Sequence, residues 1–378
     1  MRSEVIYLKG SSLGSERGIT ALHFGDEHAN RKIYIQASLH ADELPGALTA
    51  YHLRQMLAEL EQAGQLKAYI VLVPMANPLG LGQSLQYLHH GRFDFASGQN
   101  FNRMAGLDVY PLVAERIKHN NAPLGDDANA NQTVVRQVMA EVFADYVPRS
   151  ELESMHLELL RLGHDADVVL DLHCDVSAIL HMYTLPHLWP VFEPLARFLG
   201  SECQLLADDS GVAPFDETLS TVWAKLQRDY PEANIVQGCA STTIELRSQA
   251  DISHELAQAD ASAIVQYLTH TGDIILPTAL IKPMPALKCP PHPLAGAQYI
   301  YAPTSGVVVY QVHAGQWVTP STVIAHIVNP IAGTLLEVKS GMTGLIYARN
   351  EMHFAQQGDT LMSISGAQDL GRGTHLSA

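Results

Sequence analysis

Cysteine is scarce in this chain, and the few cysteines lie far apart. Only four occur in 378 residues, at positions 174, 203, 239 and 289, and none forms a Cys-x-x-Cys pair. A chain of this length with so few cysteines is not expected to depend on a disulfide framework.

Long apolar segments are also missing. The longest runs, such as 68–74, fall far short of the ~18 residues that a membrane-spanning helix needs. The amino terminus, MRSEVIYLKG, lacks the apolar core of a signal peptide. We therefore expect a cytoplasmic protein with no membrane partner.

Positive charge is in short supply. Lysine and arginine number 23 against 39 aspartates and glutamates, so the formal net charge is −16 and the pI is about 5.5. This balance argues against nucleic acid as a partner. If the substrate is anionic, a local group of arginines must overcome the overall negative field.

The remaining composition is that of an ordinary globular protein, with 47% hydrophobic and 16% charged residues. Residues 33–39 and 68–73 are predicted to be buried strands, and residues 44–60 have apolar side chains at helical spacing. A strand, a helix and a strand within about 40 residues predict a βαβ unit. We expect an α/β fold with a mixed, mostly parallel sheet covered by helices.

Further elements are predicted on both sides of a polar stretch. Residues 110–132 are rich in asparagine and aspartate and are predicted to form a long loop. Asp251 or Ser253 is expected to cap the last helix of this part of the chain. The other predicted helices cover 132–145, 150–162 and 251–269, and the other predicted strands cover 167–172 and 242–246.

The pattern changes after residue 276. Six prolines between positions 277 and 293 exclude a helix or a central strand there. Beyond them, segments 305–327 and 343–364 resemble each other in their strands and glycine turns. We predict an α/β domain over 1–276, a proline-rich linker over 277–295, and a small all-β barrel of the lipoyl/biotinyl type over 296–368. No modification signature surrounds Lys339, so no attached cofactor is expected on it.

Two histidines and a glutamate follow predicted strands. His40 and Glu43 come directly after strand 33–39, and His173 follows strand 167–172. Asp171 of that strand shares a face with His173 and is expected to orient its ring. Two histidines and one carboxylate form the ligand set of a catalytic zinc site. The alternative is a helix-start glutamate favoured by the helix dipole beside unrelated strand-end histidines.

Glu245 stands in a strand that is otherwise apolar or β-branched. A glutamate there is costly unless it is paired or functional, so Glu245 is our candidate general base. The alternative is a buried ion pair with Arg247, which would share its face.

Asn102 and Arg103 lie in a loop that begins near Arg92. Arginine recognises carboxylates in a bidentate manner, although most loop arginines are simply solvated. Metal-assisted hydrolysis of an amide is indicated by four clusters taken together: His40 with Glu43, Asn102 with Arg103, Asp171 with His173, and Glu245.

In order and spacing, the clusters resemble the zinc carboxypeptidase superfamily, and more closely its succinylglutamate desuccinylase/aspartoacylase branch. The resemblance rests on HADELPG, VPMANPLG, NFNRMAG, DLHCD and TIEL, which begin at residues 40, 73, 100, 171 and 243. The predicted C-terminal barrel resembles the corresponding part of that branch, so nearly the whole chain is covered. The loop departs from the branch's usual Asp-Leu-Asn-Arg-x-Phe-Pro-Gly pattern, because Asn100 replaces the aspartate and Met104-Ala105 replace Phe-Pro.

The resemblance implies a role for each matching residue. It implies that His40, Glu43 and His173 hold one Zn²⁺ per chain. Glu245 would be the general base, and Arg92 would polarise the scissile carbonyl. Asn102 and Arg103 would hold the substrate carboxylate.

The expected substrate is a small anionic N-acyl amino acid, and a homo-oligomer is possible. One alternative is a zinc carboxypeptidase that acts on peptides from the same site. Another is a non-catalytic zinc- or ligand-binding protein, against which the intact Glu245 argues.

Overall fold

The computed structural model describes residues 1–104, 107–211 and 213–374. Within these ranges the strands are, in chain order, β1 (Arg2–Tyr7), β2 (Gly18–Phe24), β3 (Lys32–Ala37), β4 (Tyr69–Val73), β5 (Ser84–Leu85), β6 (Leu88–His89), β7 (Val168–Asp175), β8 (Ser177–Ala178), β9 (His181–Thr184), β10 (Cys203–Leu206), β11 (Ala240–Ser248), β12 (His292–Pro293), β13 (Gln298–Tyr301), β14 (Gly306–Tyr310), β15 (Trp317–Val318), β16 (Val323–Asn329), β17 (Thr334–Lys339), β18 (Gly344–Arg349), β19 (Phe354–Ala355) and β20 (Thr360–Ser365). The helices are α1 (Leu44–Gln62), α2 (Val109–His119), α3 (Ala128–Asp145), α4 (Glu151–Gly163), α5 (Trp189–Leu199), α6 (Phe215–Asp229) and α7 (His254–His270).

A nine-stranded mixed sheet forms the centre of the molecule, in the order β1-β2-β4-β3-β7-β11-β9-β10-β12. Five of its eight junctions are parallel, including those that join β3, β4, β7 and β11. Helices α1, α5 and α7 cover one face, and α2, α3, α4 and α6 cover the other. The predicted α/β architecture is therefore confirmed, and every predicted strand and helix of this part has a counterpart within a few residues.

The polar stretch 110–132 is not a long loop, so that prediction was wrong. It contains α2 and the first turn of α3, and only residues 120–127 between the helices are non-helical. Val109, Val113 and Ile117 are spaced four apart and bury one stripe of α2. The side chain of Asp127 accepts hydrogen bonds from two backbone N–H groups in the first turn of α3. The polar residues therefore cap and solvate helices.

The C-terminal residues form two antiparallel sheets around a shared apolar core. One has the order β17-β16-β14-β19, and the other has the order β13-β20-β18-β15. Strand β14 pairs with β19 and β15 pairs with β18, so the two similar sequence segments exchange short strands. The similarity between the two sequence segments thus corresponds to this exchange of strands between the two sheets. The division at 277–295 stays a prediction, and His292–Pro293 within it forms the edge strand of the large sheet.

The two parts of the chain meet close to the end of β7. Strand β8, which follows β7 directly, pairs with β18 of the C-terminal sheet through Ala178 and Ala348. This pairing places C-terminal residues beside the carboxyl edge of the large sheet, where the candidate site lies.

All four cysteines are buried and carry free thiols. Among the described residues, no helix is long and apolar enough to cross a lipid bilayer.

Candidate metal centre

A tight turn after β3 places His40 and Glu43 at the carboxyl edge of the sheet. Ser38 begins this turn in the left-handed region, with φ of 59°, and the Glu43 N–H donates to the His40 carbonyl at 3.1 Å. Gly91 packs against the turn, where its carbonyl accepts from the Ala41 N–H at 2.9 Å. A Cβ atom on Gly91 would lie 2.1 Å from the Asp42 nitrogen, so only glycine fits there.

His40, Glu43 and His173 come together in one buried cluster. The two oxygens of Glu43 each face one ring: Oε1 lies 2.8 Å from His40 Nδ1, and Oε2 lies 2.7 Å from His173 Nδ1. One nitrogen or oxygen atom from each residue lies within 4.8 Å of the others. Two imidazole nitrogens and a carboxylate are donors that zinc prefers, so the residues fit the predicted ion. The three residues predicted from the sequence therefore lie together, and their binding of zinc stays a prediction.

The outer nitrogen of each histidine faces an oxygen. His40 Nε2 lies 2.8 Å from Asn100 Oδ1, and His173 Nε2 lies 3.1 Å from Asp171 Oδ2. Gln36 in turn donates to the other oxygen of Asp171 at 3.0 Å. Such outer partners fix the orientation of a ligand histidine. Asp171 was expected in this position, whereas Asn100 had been noted only as a departure from the family pattern.

The charges in the cluster favour an anionic Glu43. Burial alone would raise the pKa of this carboxyl group, but the neighbouring His40 and His173 overcome that effect and lower the pKa. Burial lowers the pKa of His40. Burial also acts to lower the pKa of His173, but Asp171 and Glu43 outweigh it and raise that pKa well above its ordinary value. A buried site with this much negative charge suits a cation.

Glu245 lies beside the cluster, on the next strand of the sheet. It is in register with His173 of the parallel strand β7 and with His181 of the antiparallel strand β9. Burial, followed by the charge of Glu43, raises the pKa of Glu245 well above its ordinary value. A carboxyl group with a raised pKa is suited to accept a proton near neutral pH.

The alternative for Glu245, a buried ion pair with Arg247, is not observed. Arg247 adopts φ of 67° at a bulge in β11, and its guanidinium pairs with Asp260 of α7. Strict alternation along the strand would place Glu245 and Arg247 on one face, and the prediction assumed it. The bulge breaks this alternation.

The three other predicted site residues line the same cavity as His40, His173 and Glu245. Arg92 Nη1 lies 3.3 Å from Glu43 Oε1, and the Arg92 side chain is 44% exposed. Asn102 Oδ1 accepts from the Phe215 N–H at 2.8 Å, which ties this loop to the start of α6. Arg103 donates to the carbonyl of Asn102 at 2.7 Å. Ala105, part of the departure from the family pattern, lies outside the described residues.

The cavity has a volume of about 250 Å³, and both parts of the chain form its walls. The large sheet contributes Thr243 and Tyr183, and the C-terminal sheet contributes Tyr347, Arg349 and Met362. The arrangement brings a candidate cation site, a candidate base and three arginines, Arg92, Arg103 and Arg349, into one small polar space.

Asp216 and Glu217 also line this cavity, and sequence reasoning missed them. Both are buried in the first turn of α6. Burial, and then the charge of Glu217, raises the pKa of Asp216 to about 7. The sequence signal for these two residues is that they form an acidic pair after Pro214 and Phe215. Such a pair is equally typical of an ordinary helix start.

Several solved structures resemble the whole chain. A succinylglutamate desuccinylase/aspartoacylase family protein of Shewanella amazonensis is 24% identical, with a TM-score of 0.83, 97% of this chain covered and 98% of that one. A protein of the same description from Shewanella frigidimarina is 23% identical, with a TM-score of 0.80 and 96% of each chain covered. A third, from Rhodobacter sphaeroides, is 14% identical, with a TM-score of 0.63, 97% of this chain covered and 95% of that one. At these identities the likeness establishes the fold. No curated protein matches the sequence.

The fold and the site together define an α/β protein with a His–Glu–His cluster at the carboxyl edge of its sheet. Residues 29–131 match the succinylglutamate desuccinylase/aspartoacylase catalytic domain, and this range contains five of the seven predicted site residues. This match, together with the likeness to structures of that description, confirms the resemblance found in the sequence.

The contact between Asn100 and His40 leads to a test of the cation site. Replacing Asn100 with leucine removes the oxygen that orients the His40 ring, so zinc affinity should fall by about 10- to 100-fold. Asn100→Asp keeps an acceptor and should retain the affinity. Gln99→Leu, at an exposed neighbouring position, is the matched control. Competition with a chromophoric chelator measures the zinc affinity of all four proteins. An unchanged affinity in Asn100→Leu would show that Asn100 does not support zinc binding.

Proposed function

We propose that this protein is a zinc-dependent hydrolase that cleaves the amide bond of a small N-acyl amino acid. The observation that carries the proposal is the buried His40–Glu43–His173 cluster with Glu245 beside it, where His40, His173 and Glu245 line one cavity. The match of residues 29–131 to a catalytic domain named for deacylases of small amino acid derivatives supports the same conclusion.

His40, Glu43 and His173 would hold the zinc ion. When bound, zinc acts as a Lewis acid that polarises a carbonyl group and makes water acidic near neutral pH. The outer contacts of Asn100 and Asp171 would keep both imidazole rings in their ligand orientation.

Glu245 would move the proton in this reaction. Its carboxylate accepts a proton from the attacking water as the new C–O bond forms at the acyl carbon. The same carboxyl group then gives the proton to the amide nitrogen as the C–N bond breaks, so that a carboxylic acid and a free amine leave. The raised pKa of Glu245 supports this double role, because the group must both take up and release a proton.

Arg92 and Arg103 would each stabilise a different negative charge of the substrate. Arg92 lies next to the cluster and would stabilise the negative charge that develops on the carbonyl oxygen. Arg103, positioned through Asn102, would pair with the free carboxylate of the amino acid. These two residues provide the local positive charge that an anionic substrate needs in an acidic protein.

The shape of the cavity favours a small substrate over a peptide. Its volume is about 250 Å³, and residues of the C-terminal sheet close one side of it. An extended peptide would need an open groove past the cluster. A hydrolysis screen of zinc-loaded protein against N-acetyl, N-succinyl and N-formyl amino acids, with dipeptides alongside, tests the proposal. Cleavage of dipeptides alone, or of none of these compounds, would contradict it.

Glu245→Gln isolates the proposed base. The amide is nearly isosteric but cannot accept the proton, so kcat should fall by about 10²- to 10⁴-fold while bound zinc and the thermal midpoint stay unchanged. Glu232→Gln, at an exposed position, is the matched control and should behave as the unmodified protein. Activity of Glu245→Gln within about tenfold of the parent would assign the base to another residue.

The two arginines should differ in their kinetic effects. Arg103→Ala should chiefly raise KM for an N-acyl amino acid and have little effect on its methyl ester, because the ester lacks the carboxylate. Arg92→Ala should chiefly lower kcat for both substrates, since its interaction strengthens as charge develops on the oxygen. Arg228→Ala, whose side chain is 70% exposed, serves as the control. Equal losses on acid and ester in Arg103→Ala would exclude carboxylate recognition by Arg103.

A further inference from the structure

The chain segment that carries Arg92 is held by the side chain of one glutamine. Gln83 directly precedes the β5–β6 hairpin and is half-buried, and Arg92 follows the hairpin and lines the cavity. The amide nitrogen of Gln83 donates to the carbonyls of His90 and Phe93, at 2.8 and 2.7 Å. The amide oxygen accepts from the Phe95 N–H at 2.8 Å. The three contacts therefore lie on both sides of Arg92 in the chain.

The orientation of the Gln83 amide is set by these partners. A glutamine amide offers two donors on its nitrogen and an acceptor on its oxygen. The reverse orientation would place the oxygen against two carbonyls and the nitrogen against an N–H group, so one orientation alone satisfies all three contacts. The backbone of Gln83 is also held, because its N–H donates to the Gly80 carbonyl and its carbonyl accepts from the His90 N–H, both at 3.0 Å.

The Arg92 segment lies between Gln83 on one side and Phe101 on the other. The Arg92 carbonyl accepts from the Phe101 N–H at 3.0 Å, whereas the carbonyl of the next residue, Phe93, points to Gln83. Such alternation in direction is typical of an extended chain paired on both sides. Arg92 Nη1 lies 3.3 Å from Glu43 Oε1, so the placement of this backbone decides where the guanidinium stands relative to the cluster.

We propose that Gln83 is a positioning residue for Arg92. The inference rests on the proposed function, in which Arg92 stabilises the negative charge that develops on the carbonyl oxygen. A hydrogen-bond donor stabilises that charge only when it is already at the right distance, and a small displacement removes much of its effect. Gln83 acts through the backbone on both sides of Arg92, so that the guanidinium is in place before the substrate binds.

The fold should tolerate the loss of the Gln83 amide. Phe93 and Phe95 are exposed and His90 is half-buried, so water can replace the lost contacts to these backbone groups. A purely structural role for Gln83 would therefore produce a small change that does not depend on Arg92. A positioning role predicts a loss of activity that disappears when Arg92 is absent.

Gln237 offers a matched control. It is also half-buried, its nitrogen donates to the carbonyls of Ser220 and Cys239 at 3.0 and 2.6 Å, and its oxygen lies 3.1 Å from His187 Nε2. Gln237 precedes the amino end of β11, whereas the cluster lies at the carboxyl edge of the sheet. Methionine is close to glutamine in length but has no amide, so Gln83→Met and Gln237→Met remove equivalent sets of contacts.

A double-mutant cycle with Arg92→Ala, on zinc-loaded protein, tests the proposal through kinetics. Gln83→Met should lower kcat by about 10- to 100-fold with unchanged KM and bound zinc, because a displaced guanidinium loses alignment. Gln237→Met should leave kcat unchanged. In the Arg92→Ala background, Gln83→Met should lower kcat by less than about twofold, since the group that it positions is gone. An unchanged kcat in Gln83→Met, an equal loss with and without Arg92, or a loss of zinc or of folding would overturn the proposal.

Hydrogen exchange of the zinc-free protein tests the positioning without relying on hydrolysis. The Phe101 N–H, which is bonded to the Arg92 carbonyl, should exchange at least about tenfold faster in Gln83→Met than in the parent, and at the parent rate in Gln237→Met. Unchanged exchange in Gln83→Met would overturn the proposal whatever the kinetics. If the parent hydrolyses none of the tested substrates, the proposed function fails, and the exchange rate still decides whether Gln83 holds the Arg92 backbone.

Discussion

The site depends on one buried carboxylate, Glu43, and on the polar contacts that both of its oxygens make. Oε1 faces His40 and Arg92, and Oε2 faces His173 and the backbone N–H of Cys174. A buried charge is costly unless it is paired and hydrogen-bonded, so these contacts and the elements that bring them must form together. The turn after β3, the end of β7 and the loop that carries Arg92 are thereby tied to one group at the start of α1.

The topology of the sheet explains why the chemistry gathers there. Strands β3, β7 and β11 are parallel neighbours, so their carboxyl ends meet at one edge, where ligands bind in α/β proteins. His173 and Glu245 are in register across two of these strands, and His181 extends the same row onto β9. The C-terminal sheet then closes the space above this row through its pairing with β8. A candidate cation site, a candidate base and a restricted cavity thus follow from strand order and register.

Much of this could be predicted from the sequence, because the decisive residues stand at strand ends or break an apolar strand. His40, Glu43, His173 and Glu245 gave such signals, and the structure brings all four together. Features that depend on tertiary context were missed. Whether Asn100 faces a ring or solvent, and whether Asp216 faces a cavity, is set by loops and helices far away in sequence. The bulge at Arg247 also escaped prediction, because a single left-handed residue changes which face a side chain occupies.

The central claim is that the His40–Glu43–His173 cluster binds one zinc ion. Metal analysis of purified protein, loaded with zinc and dialysed against buffer, tests it most directly when the parent is compared with His173→Ala. His187→Ala, an exposed histidine, controls for non-specific binding at the surface. The account predicts close to one zinc per chain in the parent and in His187→Ala, and almost none in His173→Ala. Full occupancy in His173→Ala, or no zinc in the parent, would contradict it.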